Sequence, residues 1–211
     1  MRIVLASSNP HKVKEVVDIL SADNSIITGL DISSESASNS DSKQNIEFIL
    51  PPDGFDPVED GETFEENSKI KALAAWELTK TWTLADDSGL CIKALGGKPG
   101  IYSARYAETP KKRIERVLCE MEGVEDREAE FVCAMTLVNP EGEVEFAYRG
   151  VCRGSITQKA SGVNGFGYDP IFLVEERNVT MAQLSESEKN KVSHRSVALR
   201  EVIKYLTNRF Q

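Results

Sequence analysis

The stretch TLADDSGL, Thr83–Leu90, decides the predicted fold, because an apolar run leads into two adjacent carboxylates and then a Ser-Gly pair. The apolar letters are typical of a buried strand, and Ser88-Gly89 favours a turn after it. Ligands of open α/β sheets bind outside the carboxyl ends of the strands. We therefore expect Asp86 and Asp87 to lie at the end of a strand, next to a ligand. The alternative is an ordinary Asp-Ser-Gly turn whose carboxylates face solvent.

Predicted strands and helices alternate on both sides of this stretch. The apolar run 2–6 predicts a strand, and the stretch 7–20 carries valine and leucine at helical spacing. Asn9 can cap this helix. A second helix is predicted after Thr63 and Glu66, which stand at the spacing of a capping box. The strand of the opening stretch follows it.

The second half of the chain continues the alternation and adds an antiparallel pair. Thr109-Pro110 predicts the start of a third helix. The long runs 129–138 and 143–156 are joined by NPEGE, which is typical of a hairpin turn. The chain closes with FGYDPIFLV, a polar connection, and a helix whose apolar residues are Leu199, Val202, Ile203 and Leu206. We expect an α/β protein with a mixed central β-sheet and flanking helices.

The length and one unusual segment bear on domain organisation. We predict a single domain over 1–211, because a chain of 211 residues buries roughly 70% of its unfolded surface, enough for one core or two closely packed lobes. Residues 33–45 are rich in serine and carry no bulky apolar side chain, so they predict a mobile loop. They do not suggest a linker, since the strand-like run 46–50 follows at once.

The composition disfavours several classes of partner. A formal net charge of -9 and a pI near 4.9 argue against binding to nucleic acid or to membrane surfaces, which needs clustered positive charge. No run reaches about 18 apolar residues, and the apolar stretch at the start is too short for a signal peptide. We therefore expect a cytoplasmic protein. Its four cysteines have no C-x-x-C spacing, which predicts buried reduced thiols and not a zinc site.

Candidate phosphate-binding residues lie at the starts of the first two helices. SSNPHK, Ser7–Lys12, follows the first strand, where helix amides can hold an anion. Lys12 adds a full charge, although a lysine this early in a helix opposes the helix dipole. Asn67 and Lys71 stand four residues apart in the second helix, so they share a face and can meet one phosphate oxygen. Ordinary caps with solvated lysines are the alternative.

Four acids stand close to these segments in the sequence: Glu59, Asp60, Asp86 and Asp87. They form a site only if the loop before the second helix meets the end of the central strand. A Mg²⁺ ion would account for their clustering, because this ion is held by one or two carboxylates together with substrate phosphate oxygens. We expect the acids to hold a metal ion and to orient a water.

Two later motifs combine aromatic and polar residues. GVNGFGYDPIF contains Phe166 and Tyr168, which can stack on a nucleobase or simply belong to the core. EKNKVSHRS, which contains Lys189, His194 and Arg195, stands just ahead of the predicted closing helix. The His-Arg pair carries donors of the kind that bind carbonyl oxygens, although a lone histidine is more often structural.

Five motifs in this order, SSNPHK, ADDSG, GGKPGIYSARY, GFGYDPIF and SHR, resemble the Ham1/RdgB-type inosine/xanthosine triphosphate pyrophosphatases. The resemblance spans nearly the whole chain and fails mainly in the serine-rich segment. It implies two lobes around a nucleotide-binding cleft, the fold of Maf and Ham1 proteins. It also implies a homodimeric, Mg²⁺-dependent enzyme. Such an enzyme hydrolyses non-canonical purine nucleoside triphosphates (dITP/ITP and XTP/dXTP) to the monophosphate and pyrophosphate, which sanitises the nucleotide pool.

The resemblance implies roles for the residues that match the family's motifs. Asp87 would be the general base and, with Glu59, a metal ligand. Lys71 would hold phosphates, and Ser88 would contact the substrate. The other implied substrate-binding residues are Ser7, Ser8, Asn9 and Lys12 for the phosphates, and Phe166, Gly167, Tyr168, Asp169, Lys189, His194 and Arg195 for the base.

The sequence departs from the family pattern in two places. Ser7-Ser8-Asn9 replaces Thr-Gly-Asn, and Glu108 replaces the glycine that commonly follows SARYA. The implied chemistry agrees with the residues, because triphosphate hydrolysis needs charge neutralisation more than covalent catalysis. A Maf-type nucleotide pyrophosphatase is one alternative, but its pattern does not match GFGYDPIF followed by SHR. A nucleotide-binding regulator without catalysis and a purely structural protein are the others.

Overall fold

The structure is a computed structural model that describes residues 1–22, 27–30 and 46–210, and only the backbone of residues 22 and 27–30. The predicted serine-rich loop, 33–45, lies outside the described residues. The chain divides into two compact units: the first comprises Met1–Asp86, Ala134–Tyr148 and Leu199–Gln211, and the second comprises Asp87–Cys133 and Arg149–Ala198. Neither unit is a continuous stretch of chain.

Strands and helices alternate along the chain as predicted. The first half contains β1 (Arg2–Leu5), α1 (Pro10–Ala22), β2 (Ile27–Leu30), β3 (Ile46–Ile49), α2 (Phe64–Thr79) and β4 (Trp82–Ile92). The second half contains α3 (Pro110–Glu120), β5 (Glu128–Val138), β6 (Val144–Ile156), β7 (Phe172–Val174), β8 (Val179–Thr180), α4 (Glu186–Val192) and α5 (His194–Phe210). Helix α4 replaces part of what the sequence indicated as a polar connection, and it begins at a capping box formed by Ser185 and Glu188.

Local capping explains where the first three helices begin. Asn9 Oδ1 accepts the backbone amides of His11 and Lys12 at the start of α1. Thr63 and Glu66 form the predicted capping box of α2, with both reciprocal bonds present. Thr109 accepts the amide of Lys112 at the start of α3. These bonds satisfy amides that have no partner within the helix.

The described strands form an eight-stranded sheet in the order β2-β3-β1-β4-β5-β6-β7-β8. The pairs β2/β3, β3/β1 and β1/β4 are parallel, and the pairs β6/β7 and β7/β8 are antiparallel. A connection as short as 139–143 joins β5 to β6, and a connection of that length joins only antiparallel strands. The predicted mixed α/β sheet is therefore confirmed.

The predicted turn at Ser88-Gly89 is wrong, because β4 continues without a break to Ile92. Its parallel neighbour β1 pairs only as far as Leu84, so Asp86 and Asp87 lie beyond the end of β1 but inside β4. Leu90 and Ile92, which follow, are fully buried in a hydrophobic cluster of the second unit. Burial of two such side chains stabilises the extended chain by about 3 to 6 kcal/mol, which outweighs the local turn preference.

Each unit has its own apolar cluster. In the first unit, strand residues pack against small residues of α2; the members are Val4, Ala6, Phe55, Ala72, Ala75, Ala85 and Val138. A hydrogen bond of 2.7 Å between the hydroxyls of Ser68 and Thr136 lies in the same unit. In the second unit, Phe131 of β5 and Phe172 of β7 pack with their ring centroids 4.4 Å apart.

The cysteines follow the prediction only in part. Cys133 and Cys152 are buried, but Cys91 is half-buried and Cys119, on α3, is exposed, and none of the four forms a disulfide. Cys119 is exposed because α3 packs through the side of the helix that carries Val117 and Met121. Among the described helices, none is long and apolar enough to cross a membrane.

Candidate functional site

The loop 7–12 connects β1 to α1 and is organised by its own polar side chains. Ser7 is buried, and its Oγ accepts the amide of Asn9 at 3.3 Å. Asn9 Oδ1 in turn accepts the amides of His11 and Lys12. Ser8 and Asn9 are exposed. The loop thus presents polar groups at the N-terminus of a helix, where an anion is favoured.

Lys12 forms a salt bridge and is not the solvated lysine of the alternative interpretation. Its Nζ lies 3.1 Å from Asp86 Oδ2, and the exposed fractions of the two side chains are 15% and 4%. Two charges this poorly hydrated require each other, because an unpaired buried charge costs several kcal/mol.

Lys71 also contacts Asp86, and it forms a second ion pair in the first unit. Its Nζ is 2.9 Å from Glu59 Oε2 and donates to the backbone carbonyl of Asp86 at 3.0 Å. The predicted meeting of the loop before α2 with the central strand is therefore present between Glu59 and Asp86, through Lys71. Asp60, by contrast, is exposed. Two lysines and two carboxylates form a cluster without net charge.

Asn67 has a structural contact that the sequence did not suggest. It is buried in the first turns of α2, and its Oδ1 accepts the amide of Gly61 at 2.9 Å. This bond ties the loop that carries Glu59 to the helix that carries Lys71. Asn67 shares a helix face with Lys71 as predicted, and this contact orients the loop.

A groove of about 510 Å³ lies next to the loop 7–12 within the first unit. Most of its lining is apolar or weakly polar: Pro10, Val13, Val17, Leu50, Pro51, Pro52, Gly54 and Phe55, together with Ser7, Ser8, Lys14 and Asp53. We place no phosphate there, because apolar side chains cannot replace the water that solvates an anion.

Asp87 begins the second unit and is buried. Its Oδ1 accepts the amide of Ser88 at 2.9 Å. The Ser88 Oγ accepts a hydrogen bond of 2.9 Å from an Nη of Arg195, whose side chain is only 1% exposed. Arg195 therefore contacts the residue next to Asp87, a connection that sequence spacing cannot reveal.

His194 and Arg195 lie in the first turn of α5, not ahead of it as predicted. The His194 ring stacks on Phe131 with centroids 4.9 Å apart. His194 Nδ1 and Arg195 Nε are buried atoms that make no hydrogen bond among the described residues, although both side chains have other contacts. Gly150 of β6 allows this packing, because a Cβ there would lie 2.2 Å from the carbonyl oxygen of His194. A glycine inside a strand was the available sign of such close approach.

The loop 165–169 is held by a buried ion pair. Asp169 Oδ2 accepts the amide of Phe166 at 2.8 Å and the ammonium of Lys189 at 2.6 Å. The same ammonium lies 4.5 Å from the centroid of the Phe166 ring, within the range of a cation–π interaction. Gly165 has φ +72°, and a Cβ there would lie 2.0 Å from Asp169 Oδ2. The backbone of Phe166 is therefore positioned by Asp169.

Tyr168 lies in the core, which was one of the two alternatives for it. Its hydroxyl donates to the carbonyl of Ser103 at 2.9 Å, and burial raises its pKa above the ordinary value. Phe166, in contrast, is only half-buried. Of Phe166 and Tyr168, Phe166 is the one whose ring is accessible for stacking.

The structure thus groups the sequence-predicted residues into two sets. The first unit brings together Lys12, Lys71, Glu59 and Asp86, next to the loop 7–12. The second unit contains two groups, Ser88 with Arg195 and Phe166 with Asp169 and Lys189. Asp86 and Asp87 connect the two sets covalently. Gly150 was not among the predicted site residues, and Asp86, which was predicted as one of four metal-binding acids, forms an ion pair with Lys12 instead.

Solved structures of Ham1 proteins share this fold. The chain is similar to the structure of the Staphylococcus aureus Ham1 protein, with a TM-score of 0.81 and 35% identity, covering 99% of this chain and 100% of that one. A HAM1 protein from Coxiella burnetii is similar with a TM-score of 0.80 and 38% identity, covering 99% of each chain.

Sequence comparison agrees with this classification. The family model described as the Ham1 family matches residues 3–205, and the chain therefore belongs to the Ham1 family. It is 39% identical over 215 residues to a dITP/XTP pyrophosphatase from Treponema denticola, covering 98% of each protein. It is 51% identical over 147 residues to a dITP/XTP pyrophosphatase from Shouchella clausii, covering 67% of this chain and 74% of that protein.

Proposed function

We propose that this chain is a nucleoside triphosphate pyrophosphatase that hydrolyses the non-canonical purine nucleotides dITP/ITP and XTP/dXTP to the monophosphate and pyrophosphate. Its relatives named dITP/XTP pyrophosphatase support the substrate class, one of them over 98% of both sequences. The structural observation that carries the proposal is the convergence of Lys12, which is half-buried, and Lys71, which is buried, on Asp86 in a chain of net charge -9. Such a chain binds a polyanion only where cations are concentrated locally.

The first unit supplies the phosphate-binding residues. Lys12 and Lys71 bind the phosphates as charged donors, while Ser7, Ser8 and Asn9 border them at the N-terminus of α1. Their internal partners, Asp86 and Glu59, hold both ammonium groups in defined positions. Preorganised charges of this kind stabilise a transition state because they need little rearrangement during the reaction.

Glu59 and Asp87 fit a Mg²⁺ ion by their chemistry. The side chain of Glu59 is 30% exposed despite its bond to Lys71, so its carboxylate stays accessible to solvent. Among the residues that the structure describes, no three His, Cys, Asp or Glu side chains form a metal-binding group. Mg²⁺ needs no such group, because one or two carboxylates complete its shell with waters and substrate phosphates. Once bound, the ion neutralises charge on the phosphate oxygens.

Asp87 serves as the general base in this proposal. Its carboxylate takes the proton of the attacking water as the new P–O bond forms, and the anhydride bond that releases pyrophosphate breaks. The amide of Ser88 donates to Asp87 Oδ1 and so fixes the orientation of the carboxylate. Arg195 donates a hydrogen bond to Ser88 Oγ. It thereby helps to hold the residue that orients the general base.

The second unit supplies the residues that bind the purine. Hypoxanthine and xanthine carry a carbonyl at the 6-position, where adenine carries an amino group. Donors from Lys189, His194 or Arg195 can therefore bond to the first two bases, whereas adenine would leave these donors unpaired. Guanine shares the carbonyl, and its 2-amino group is excluded by the loop around Phe166–Asp169. The half-buried ring of Phe166 stacks on the base.

Pyrophosphate release from a nucleotide panel, measured with and without Mg²⁺, tests this function. We expect ITP and XTP to exceed ATP and GTP in kcat/KM by at least about 10²-fold, because hydrogen-bonding sites reject mismatched groups strongly. Ribose and deoxyribose should differ little. Comparable kcat/KM for ATP, GTP and ITP would contradict the selectivity. Preference for modified pyrimidine or methylated nucleotides would favour a Maf-type enzyme, and ITP binding without pyrophosphate release would favour a regulator.

We also propose that the protein is a cytoplasmic homodimer that binds neither nucleic acid nor membranes. The Ham1-type resemblance supports the dimer, and the net charge of -9 supports the absence of polyanionic partners. Light scattering should give a mass twice the chain mass of 23.3 kDa. A mass that stays at one chain over a wide concentration range would contradict the dimer.

A further inference from the structure

Asp86 contacts both phosphate-binding lysines through two different groups. Its side chain binds Lys12 of α1 at 3.1 Å, and its backbone carbonyl accepts Lys71 of α2 at 3.0 Å. Asp86 lies in β4 beyond the end of β1, so one strand position connects cations from two separate helices.

Stability alone does not account for this arrangement. A buried ion pair is often no more stabilising than apolar residues of similar volume, because desolvation of the charges offsets their attraction. Lys12 also lies in the first turn of α1, which contains no acidic residue, and a cation there opposes the helix dipole. A lysine kept at a disfavoured position, with a buried carboxylate opposite, indicates a requirement for the position of its charge.

We propose that Asp86 is a positioning residue that holds Lys12 and Lys71 in place before the substrate binds. The inference rests on the proposed function, since it assumes that these lysines bind a triphosphate. The carboxylate neutralises the empty cluster and fixes the direction of the Lys12 ammonium. Removing only the charge of Asp86 gives the cluster more net positive charge for binding phosphates. It also leaves the Lys12 ammonium less ordered.

This mechanism predicts opposite effects on ground-state binding and on turnover. In Asp86→Asn, inorganic tripolyphosphate binds as tightly as to the wild type or more tightly, since a repulsive charge is lost. The kcat for ITP falls by about ten- to a hundredfold, as expected when a hydrogen bond to a charged group no longer orients a cation in the transition state. KM does not rise. A merely structural residue would instead weaken both measurements together with thermal stability.

A double-mutant cycle tests whether Asp86 acts through Lys12. We expect Asp86→Asn to lower kcat by less than about 2-fold in a Lys12→Gln background, because residues that act as one unit are not additive. The matched control is Asp18→Asn, which breaks the exposed 2.7 Å pair with Lys14 on the same helix and should change neither kcat nor KM. If thermal unfolding measurements show that the Asp86→Asn variant is not folded, the Asp86→Ser variant is used in its place.

Three outcomes would overturn the inference: a raised KM with unchanged kcat, tripolyphosphate binding weakened more than about 10-fold by Asp86→Asn, or full additivity with Lys12→Gln. Failure of the proposed function is recognised separately, because the wild-type protein would then release no pyrophosphate from ITP or XTP. In that case calorimetry still measures the coupling between Asp86 and Lys12, from tripolyphosphate binding to the wild type, the two single variants and the double variant. A coupling energy of zero then refutes the positioning role, and a non-zero one supports it.

Discussion

Lys12 and Asn67 illustrate how the role of a residue depends on its partner. Lys12 opposes the dipole of its own helix, and this cost is offset by Asp86, which lies 3.1 Å away with almost no exposure. Asn67 stands at the right spacing to share a face with Lys71, but its Oδ1 holds the amide of Gly61. The sequence predicted both residues as members of a candidate site. The ion-pair partner of Lys12 could not be predicted, because Asp86 lies far away along the chain.

Asp87→Asn should abolish turnover while the fold stays intact. The variant keeps an oxygen that can accept the Ser88 amide, but it removes the proposed general base and a proposed metal-binding charge at once, so kcat should fall at least about 10²-fold. Pyrophosphate release from ITP over a Mg²⁺ series measures the loss. Asp60→Asn, at the exposed acid near Glu59, is the control and should retain full activity. A variant with near wild-type kcat and normal Mg²⁺ dependence would show that Asp87 has neither role.

Helices were predictable as elements because their start signals are local. Caps at Asn9, Thr63 and Thr109 involve atoms only a few residues apart, so the letters alone indicate them. Strand β4 was not predictable in the same way. Its Ser-Gly pair favours a turn locally, but burial of Leu90 and Ile92 keeps it extended, and burial depends on the whole unit.

Thr63→Ala should destabilise α2 and also disturb the neighbouring loop, which carries the proposed metal ligand Glu59. The capping box connects Thr63 to Glu66, whose carboxylate also accepts the amide of Glu62, close to Glu59. Loss of an N-cap costs about 1 kcal/mol in the free energy of unfolding, and a looser loop should raise the Mg²⁺ concentration needed for half-maximal activity.

Thr109→Ala is the matched control for this prediction. Thr109 caps α3 with the same kind of bond, but α3 carries none of the proposed site residues. Chemical denaturation should show a similar loss of about 1 kcal/mol, without a change in the Mg²⁺ requirement. Equal effects of both variants on the Mg²⁺ requirement would refute the role of the α2 cap in the site.

At the scale of the whole molecule, alternation of strands and helices predicted the α/β class and the mixed sheet, and both are confirmed. The strand order β2-β3-β1-β4-β5-β6-β7-β8 could not be read from the sequence, since strands adjacent along the chain are not always adjacent in the sheet. The single domain and the serine-rich loop 33–45 stay predictions.

Thiol alkylation under native conditions should distinguish the cores from the surface. Burial, with smaller contributions from Glu176 and Asp169, raises the pKa of Cys152 to about 12, so at pH 8 only about 10⁻⁴ of this thiol is the reactive thiolate. Cys119 is exposed and should react first, while Cys133 and Cys152 react only after unfolding in guanidinium. Mass spectrometry of peptides measures each site. Rapid native modification of Cys152 would show that the second core opens readily.

The sequence by itself determined the α/β class, the starts of the principal helices and the identity of most candidate site residues, because these follow from patterns within about ten residues. Only the tertiary structure decided that β4 runs through Asp86 and Asp87, that Lys12 and Lys71 converge on Asp86, and that Arg195 bonds Ser88 across 107 positions of the chain. The physical reason is the distance along the chain over which each kind of interaction acts. Capping and periodicity act between near neighbours, whereas an ion pair or a buried hydrogen bond depends on which distant segments the packing of the core brings together.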